Sequence, residues 1–272
     1  MIKKLLLSIL ILLLFAGSGW AATFHAANTG NWTTASTWAE NSGYPVAGDT
    51  VIFDANSAGK TVTLSTGAAC AVLDMTGNTT GVLAMGGYNL NTTGNITLAG
   101  SGSNITATSG SFLIGGTTPT ITCNGIYIPA VYFSTSTTVT LGSDLLVTGL
   151  LKYSGSTMAG AYNISCGTLE LRIGYTLTLV AGQSLTVSTA IKLTGDFSSS
   201  SSIVSSSASP TSLIYNGTAA NQKIAGVTFT NVTVTGTGAP IYNWFGSGTN
   251  TGITNIDATD MPCGGGGGQW GF

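Results

Sequence analysis

Residues 142–155, GSDLLVTGLLKYSG, and residues 182–195, GQSLTVSTAIKLTG, align without a gap 40 positions apart. Gly, Leu, Val, Lys and the closing Gly are identical, and Thr/Ser, Leu/Ile and Ser/Thr exchange like for like. Both copies alternate with period 2, the pattern of a half-buried strand. Leu145, Val147, Leu151 and Tyr153 share one parity in the first copy, and Leu185, Val187, Ile191 and Leu193 share it in the second. Lys152 and Lys192 take the opposite parity and are expected to face water. Short runs of the same kind recur as Thr61-Val62-Thr63-Leu64, Thr138-Val139-Thr140-Leu141, Thr176-Leu177-Thr178-Leu179 and Val232-Thr233-Val234, broken by Gly, Asn or Ser-Gly steps. No stretch after Ala21 carries a helical period, so the chain reads as all-β.

Short alternating strands also build sandwiches and barrels. Self-similarity and the scarcity of Asn-Gly hairpin signatures favour a single-stranded right-handed parallel β-helix, a β-solenoid. Each rung of such a coil buries its apolar parity only by stacking on its neighbours, so the same residue types return at the same place in each rung. If an offset of 40 is two rungs, a rung is roughly 20 residues and residues 50–255 make about ten rungs. Two looser echoes point the same way: Tyr88-Asn89-Leu90 with Tyr162-Asn163-Ile164, and Gly94-x-Ile96-x-Leu98 with Gly149-x-Leu151-x-Tyr153. Exposed rung edges template aggregation, so both ends need covers. Residues 22–55 are expected to form an aromatic-rich N-terminal cap and first strand, 56–255 the rungs, and 256–272 an irregular Gly-rich tail.

The segment Met1–Ala21 has the grammar of an export leader. Lys3 and Lys4 precede the apolar run Leu5–Phe15, and Gly19-Trp20-Ala21 is a small-x-small exit. The run is too short to span a bilayer, which takes about 20 apolar residues. Cleavage after Ala21 is expected, giving a protein that is secreted or at the cell surface through the general secretory pathway, with no membrane insertion afterwards. What remains carries five basic residues against nine acidic ones. Five scattered cations do not make the basic stripe that nucleic acid requires, so no nucleic-acid partner is expected. Only 6% of the chain is charged, against about 25% in typical proteins. Val, Ile and Leu nevertheless recur throughout, so the chain should fold.

Residues 28–54 read NTGNWTTASTWAENSGYPVAGDTVIFD. This Gly-Asn-Trp, Ser-Thr-Trp and Pro-x-x-Gly-Asp-x-Val sequence resembles the opening segment of secreted and phage-borne right-handed parallel β-helix proteins of the pectin-lyase-like solenoid type. The resemblance implies a fold; such proteins include adhesins and phage-tail components, and it brings no catalytic set. The chain departs from polysaccharide-lyase members in lacking a dense cluster of Asp, Lys and Arg.

Few residues offer chemistry. Glycan cleavage needs two carboxylates about 5–9.5 Å apart. Asp144, Glu170 and Asp196 are spaced 26 apart twice, which would stack into an acidic ladder, but the stronger repeat of 40 pairs Asp144 with Ser184. Asp49 beside Gly48 reads as a turn acceptor, and Asp257 and Asp260 match no calcium-loop pattern. His25, the single histidine, lies where chains fray and cannot build a zinc site without Cys. The run Gly264–Gly268 lacks the Lys of a phosphate loop. No cofactor and no metal are expected. Cys70, Cys123, Cys166 and Cys263 allow three pairings. Cys123 and Cys166 are favoured as buried free thiols, because their separation corresponds to two rungs and a bridge reaches only one.

Two features speak to binding. Thr-x-Thr pairs (Thr61/Thr63, Thr138/Thr140, Thr176/Thr178, Thr228/Thr230, Thr233/Thr235) resemble the hydroxyl arrays of ice-binding solenoids, although their spacings look irregular. Trp32, Trp38 and Tyr44 near one end and Tyr242 and Trp244 near the other are candidate sugar-stacking residues; a cap packing over a terminal rung is the favoured use of the same rings, because Trp buries a large apolar area. The reading that follows is a non-catalytic extracellular structural or adhesive protein whose partners are glycans or other copies of itself. A polysaccharide-acting enzyme and an ice-binding solenoid are the alternatives.

Overall fold

The structure is a computed structural model, and it describes residues 21–99, 104–134, 138–155, 157–194, 201–218, 222–225, 227–239, 241–242 and 256–257. The chain is a parallel β-solenoid. A first sheet of ten strands begins at Thr23–His25 and ends at Val227–Thr230, and a second of eleven runs from Ala68–Cys70 to Val232–Thr235. A third sheet of four strands, Gly30–Asn31, Thr61–Thr63, Val82–Gly86 and Ile105–Ala107, closes the N-terminal rungs. Strand neighbours are a rung apart in sequence and pair in parallel.

The register explains the opening repeat. Leu145 pairs with Ile164 and Ile164 with Leu185, so the two copies lie two rungs apart. Leu145, Val147, Leu151, Tyr153, Leu185, Val187, Ile191 and Leu193 are all buried in one core that extends along the described rungs. The looser echoes have a different origin. Leu90 stacks on Phe112, Val131, Leu151 and Leu169, whereas Ile164 belongs to the column of Leu145. Ile96 lies in the first sheet and Leu151 in the second. These echoes are therefore not vertical neighbours. Any inward-facing strand needs an apolar alternation between polar turns, so similar strings arise on different faces.

Midway along the coil the cross-section changes. Leu145–Leu146 and Leu150–Tyr153 are separate strands, yet both pair with the single strand Ile164–Leu171, and Ser184–Thr194 continues that longer form. The bend between the two halves stacks Gly167 on Gly149 and Gly149 on Pro129, with Gly167 N–H donating to Gly149 O at 3.0 Å and Gly149 N–H to Pro129 O at 2.9 Å. A Cβ at Gly167 would lie 2.5 Å from Thr148 O, and one at Gly149 2.6 Å from Pro129 O. Only glycine lets the backbones approach this closely.

The N-terminal cap covers the first rung with aromatic rings. Trp32 and Trp38 are buried and meet edge to face, 5.2 Å between centroids at 81°, and Phe24 adds a second edge contact to Trp38 at 6.0 Å. Trp38 Nε1–H donates to Trp32 O at 2.9 Å and Trp32 Nε1–H to Pro45 O at 3.0 Å, so both indoles are buried with their polar atom satisfied. Asp49 acts as the turn acceptor expected of it, taking Val46 N–H at 2.9 Å and Ala22 N–H at 2.8 Å. No helix among the described residues is long and apolar enough to cross a membrane. Residues 1–20, all but the last of the expected leader Met1–Ala21, lie outside the described residues.

Candidate functional site

Charge is scarce in this chain, and the register collects it. Along the outward parity of the second sheet, Tyr132 pairs with Lys152, Lys152 with Glu170, Glu170 with Lys192, and Lys192 with Lys223. The strands give these positions the outward parity because Leu151 and Tyr153, Leu169 and Leu171, and Ile191 and Leu193 take the inward one. Lys152 forms a salt bridge with Glu170, and its Nζ also sits 5.6 Å from the centre of the Tyr132 ring, within cation–π range. Arg172 follows just past the end of the Glu170 strand, and its Nη1–H donates to the Tyr132 phenol oxygen at 3.3 Å. The Ser154 hydroxyl donates to the same oxygen at 3.3 Å. The Ser154 hydrogen bond comes first in drawing the Tyr132 phenol below its usual range; partial burial opposes it, and the Arg172 and Lys152 charges assist. Beside this ladder opens a cleft of about 490 Å³ lined by Lys152, Glu170, Arg172, Ile173, Tyr175 and Lys192, within the volume range of ligand pockets.

Four of the five cations after Ala21 thus fall on or beside one ladder, where the linear sequence suggests scatter; the fifth, Lys60, precedes the strand Thr61–Thr63 of the third sheet. Lys152, Arg172 and Lys192 share one cleft, and Lys223 is in register with Lys192 on the following rung. The signal was present in the repeat itself. Lys152 and Lys192 are two rungs apart, so some residue near position 172 had to lie between them. The observed register makes it Glu170, because the first of the two rungs is shorter than the second. Rung length is decided by how each corner packs, and the opening repeat reports only the sum of two rungs.

The acidic ladder of Asp144, Glu170 and Asp196 does not form among the described residues. Asp144 precedes Leu145, whose partner is Ile164, so its carboxylate accepts Asn163 N–H at 2.8 Å on another column from Glu170. Asp196 and Asp260 lie outside the described residues, as does the Asp257 side chain. His25 does not fray: it ends the strand Thr23–His25 paired with Thr50–Ile52, and its Nδ1 lies 2.9 Å from Asp54 Oδ2. Glu40 accepts the His25 backbone N–H at 3.1 Å. Burial pushes the Asp54 carboxyl up, but the His25 hydrogen bond, aided by Asn56 and the His25 charge, brings it below its ordinary range. No group of three or more His, Cys, Asp or Glu among the described residues is placed to hold a metal.

The candidate stacking residues divide. Trp32 and Trp38 are 2% and 1% exposed, so their faces belong to the cap and are not a surface for sugars. Tyr44 is 45% exposed. Tyr242 ends the short strand Ile241–Tyr242, but its side chain and Trp244 lie outside the described residues, as do Gly264–Gly268 and Cys263. Cys70, Cys123 and Cys166 are buried free thiols. Burial pushes Cys70 and Cys166 up to about 12 and Cys123 up to about 11, so all three stay protonated at neutral pH.

The threonines are more regular than their spacings suggest. On the first sheet Thr120 pairs with Thr140, Thr138 with Thr157, Thr157 with Thr178, Thr176 with Ser202, and Ser202 with Thr228. The pairs Thr138/Thr140, Thr176/Thr178 and Thr228/Thr230 therefore follow one another two rungs at a time on one outward face. Thr61/Thr63 and Thr233/Thr235 belong instead to the third and second sheets. Ala159 and Val204 interrupt the hydroxyl rows.

No family model matches the chain, and no curated protein or solved structure matches it either.

Proposed function

We propose that this chain is an exported, non-catalytic structural or adhesive solenoid whose side faces hold extracellular glycans. The observation that carries this reading is the lateral cleft on the second sheet, where the exposed Ile173, the Tyr175 ring and an ordered charged ladder converge on consecutive rungs. Rings and apolar side chains meet the C–H faces of sugars, and polar groups beside them take the hydroxyls. A coil of this kind repeats its polar outer faces along its length, which favours many weak contacts with an extended chain. Export is supported by the leader. It is also supported by Ala22 N lying 2.8 Å from Asp49 Oδ1, where an α-ammonium freed by cleavage after Ala21 would meet a carboxylate.

The test uses the mature chain, from Ala22 on, against a panel of insoluble and immobilised polysaccharides. Retention on at least one member, weakened by Tyr175→Ala, is expected, with no new reducing ends or unsaturated products. Failure to bind any member, or release of products, overturns the reading.

The threonine rows favour one second reading, ice binding, because hydroxyl and methyl groups repeat there at the strand spacing of about 4.8 Å. The two readings use different faces and separate cleanly. Thr157→Tyr with Thr178→Tyr should abolish inhibition of ice recrystallisation if ice is the ligand, and should leave polysaccharide retention unchanged if it is not.

A further inference from the structure

The cleft on the second sheet carries unbalanced charge. Glu170 is engaged by Lys152, while Arg172 and Lys192 are exposed and line the same opening of about 490 Å³. Lys192 is in register with Lys223 on the next rung, so no carboxylate follows it along the ladder. In a chain with seven Lys and Arg in all, two of them in the leader, the gathering of Lys152, Arg172 and Lys192 at one opening is a local excess of positive charge. An anion would relieve it. Arg172 offers a planar set of donors suited to an oxyanion, and its hydrogen bond to the Tyr132 phenol orients the guanidinium. The remaining wall is apolar. Tyr175 packs over Gly155, where a Cβ would meet its ring at 2.3 Å, and Ile173 is 48% exposed beside it.

We infer that this cleft binds an anionic sugar unit, a ring bearing a carboxylate or a sulfate ester, with Arg172 and Lys192 on the anionic group and Tyr175 and Ile173 against the ring. The inference rests on the glycan-binding reading and names the chemistry of its ligand. Arg172 and Lys192 supply the charge selectivity, and Lys152 and Glu170 hold one wall in place.

Calorimetry on the mature chain with four oligosaccharides tests it: a hexuronic acid oligomer, its neutral methyl ester, a sulfated galactan oligomer and the same oligomer desulfated. At least one anionic form should bind, with its neutral counterpart weaker by about tenfold or more, and binding should weaken as salt rises. Which anionic form binds tells carboxylate from sulfate. Arg172→Gln with Lys192→Gln should reduce the anionic ligand to the level of the neutral one without shifting the thermal midpoint, and Arg172→Lys with Lys192→Arg should restore most of the difference. Neutral forms binding as tightly as anionic ones, or unchanged anionic binding in the Gln double variant, would overturn the anionic site while leaving the glycan reading standing. Absence of binding by all four, together with a negative polysaccharide panel, would remove both.

Discussion

Single side chains in this protein are used for what their surroundings permit, and the cap shows it most directly. The indoles of Trp32 and Trp38 pair with each other and with backbone carbonyls, so replacing Trp38 opens a cavity at the end of the core. Trp38→Ala should cost about 3–5 kcal/mol, while Tyr44→Ala should stay within about 0.5 kcal/mol; urea denaturation of both compares them. Asp54 predicts a pH dependence. Its folded carboxyl lies below its ordinary value of 3.8, with burial opposing the shift and the His25 hydrogen bond outweighing it. The folded state therefore favours the charged form. That stabilisation is fully present above pH 3.8 and is lost as pH falls through the lower, folded value. Asp54→Asn should flatten this acid limb in thermal midpoints measured down from pH 5, and an unchanged slope would count against the assignment.

Strands and corners respond to substitution according to what they stack on. The corner at Gly167 admits no side chain, because the nearest atoms are the backbone oxygens Thr148 O and Gly149 O. Gly167→Val should cost at least about 2 kcal/mol. Gly43→Ala, where a Cβ meets nothing within 4 Å, should be near neutral in the same assay. The charged ladder gives a second element-scale test. Glu170 stands between Lys152 and Lys192, and Lys192 is in register with Lys223, so Glu170→Lys puts cations at four successive register positions. A loss of about 1 kcal/mol at low ionic strength, shrinking as salt is added, is expected for a partly exposed ladder. A loss that salt does not touch would mean the effect is packing and not charge. The inward and outward assignment of Leu145, Lys152, Leu185 and Lys192 was legible in the sequence, since side-chain period alone sets it. The partner of each residue was not, because rungs of unequal length, as on the two sides of Glu170, shift register without changing parity.

At the scale of the whole molecule, stability comes from neighbouring rungs sharing one core, so no rung keeps its apolar face dry alone. Cys70, Cys123 and Cys166 report on this because they are buried at separate places along the coil. In a Cys263→Ser background their labelling by a thiol reagent should be negligible in the native state and should rise together across the urea transition. Labelling of one thiol well before the others would show that the rungs open separately.

Composition and period 2 determined by themselves that the chain is all-β, that its apolar parity is shared between rungs, and that the two aligned stretches occupy equivalent places in different rungs. Those properties depend on local geometry and on burial, both of which a linear pattern records. Only the tertiary structure decided that Glu170 lies between Lys152 and Lys192, that Arg172 reaches Tyr132, that the threonines of the first sheet form rows, and that Trp32 and Trp38 meet edge to face. Each of these depends on how many residues a corner takes before the next strand begins. That number follows from close packing between distant segments, which no local pattern encodes.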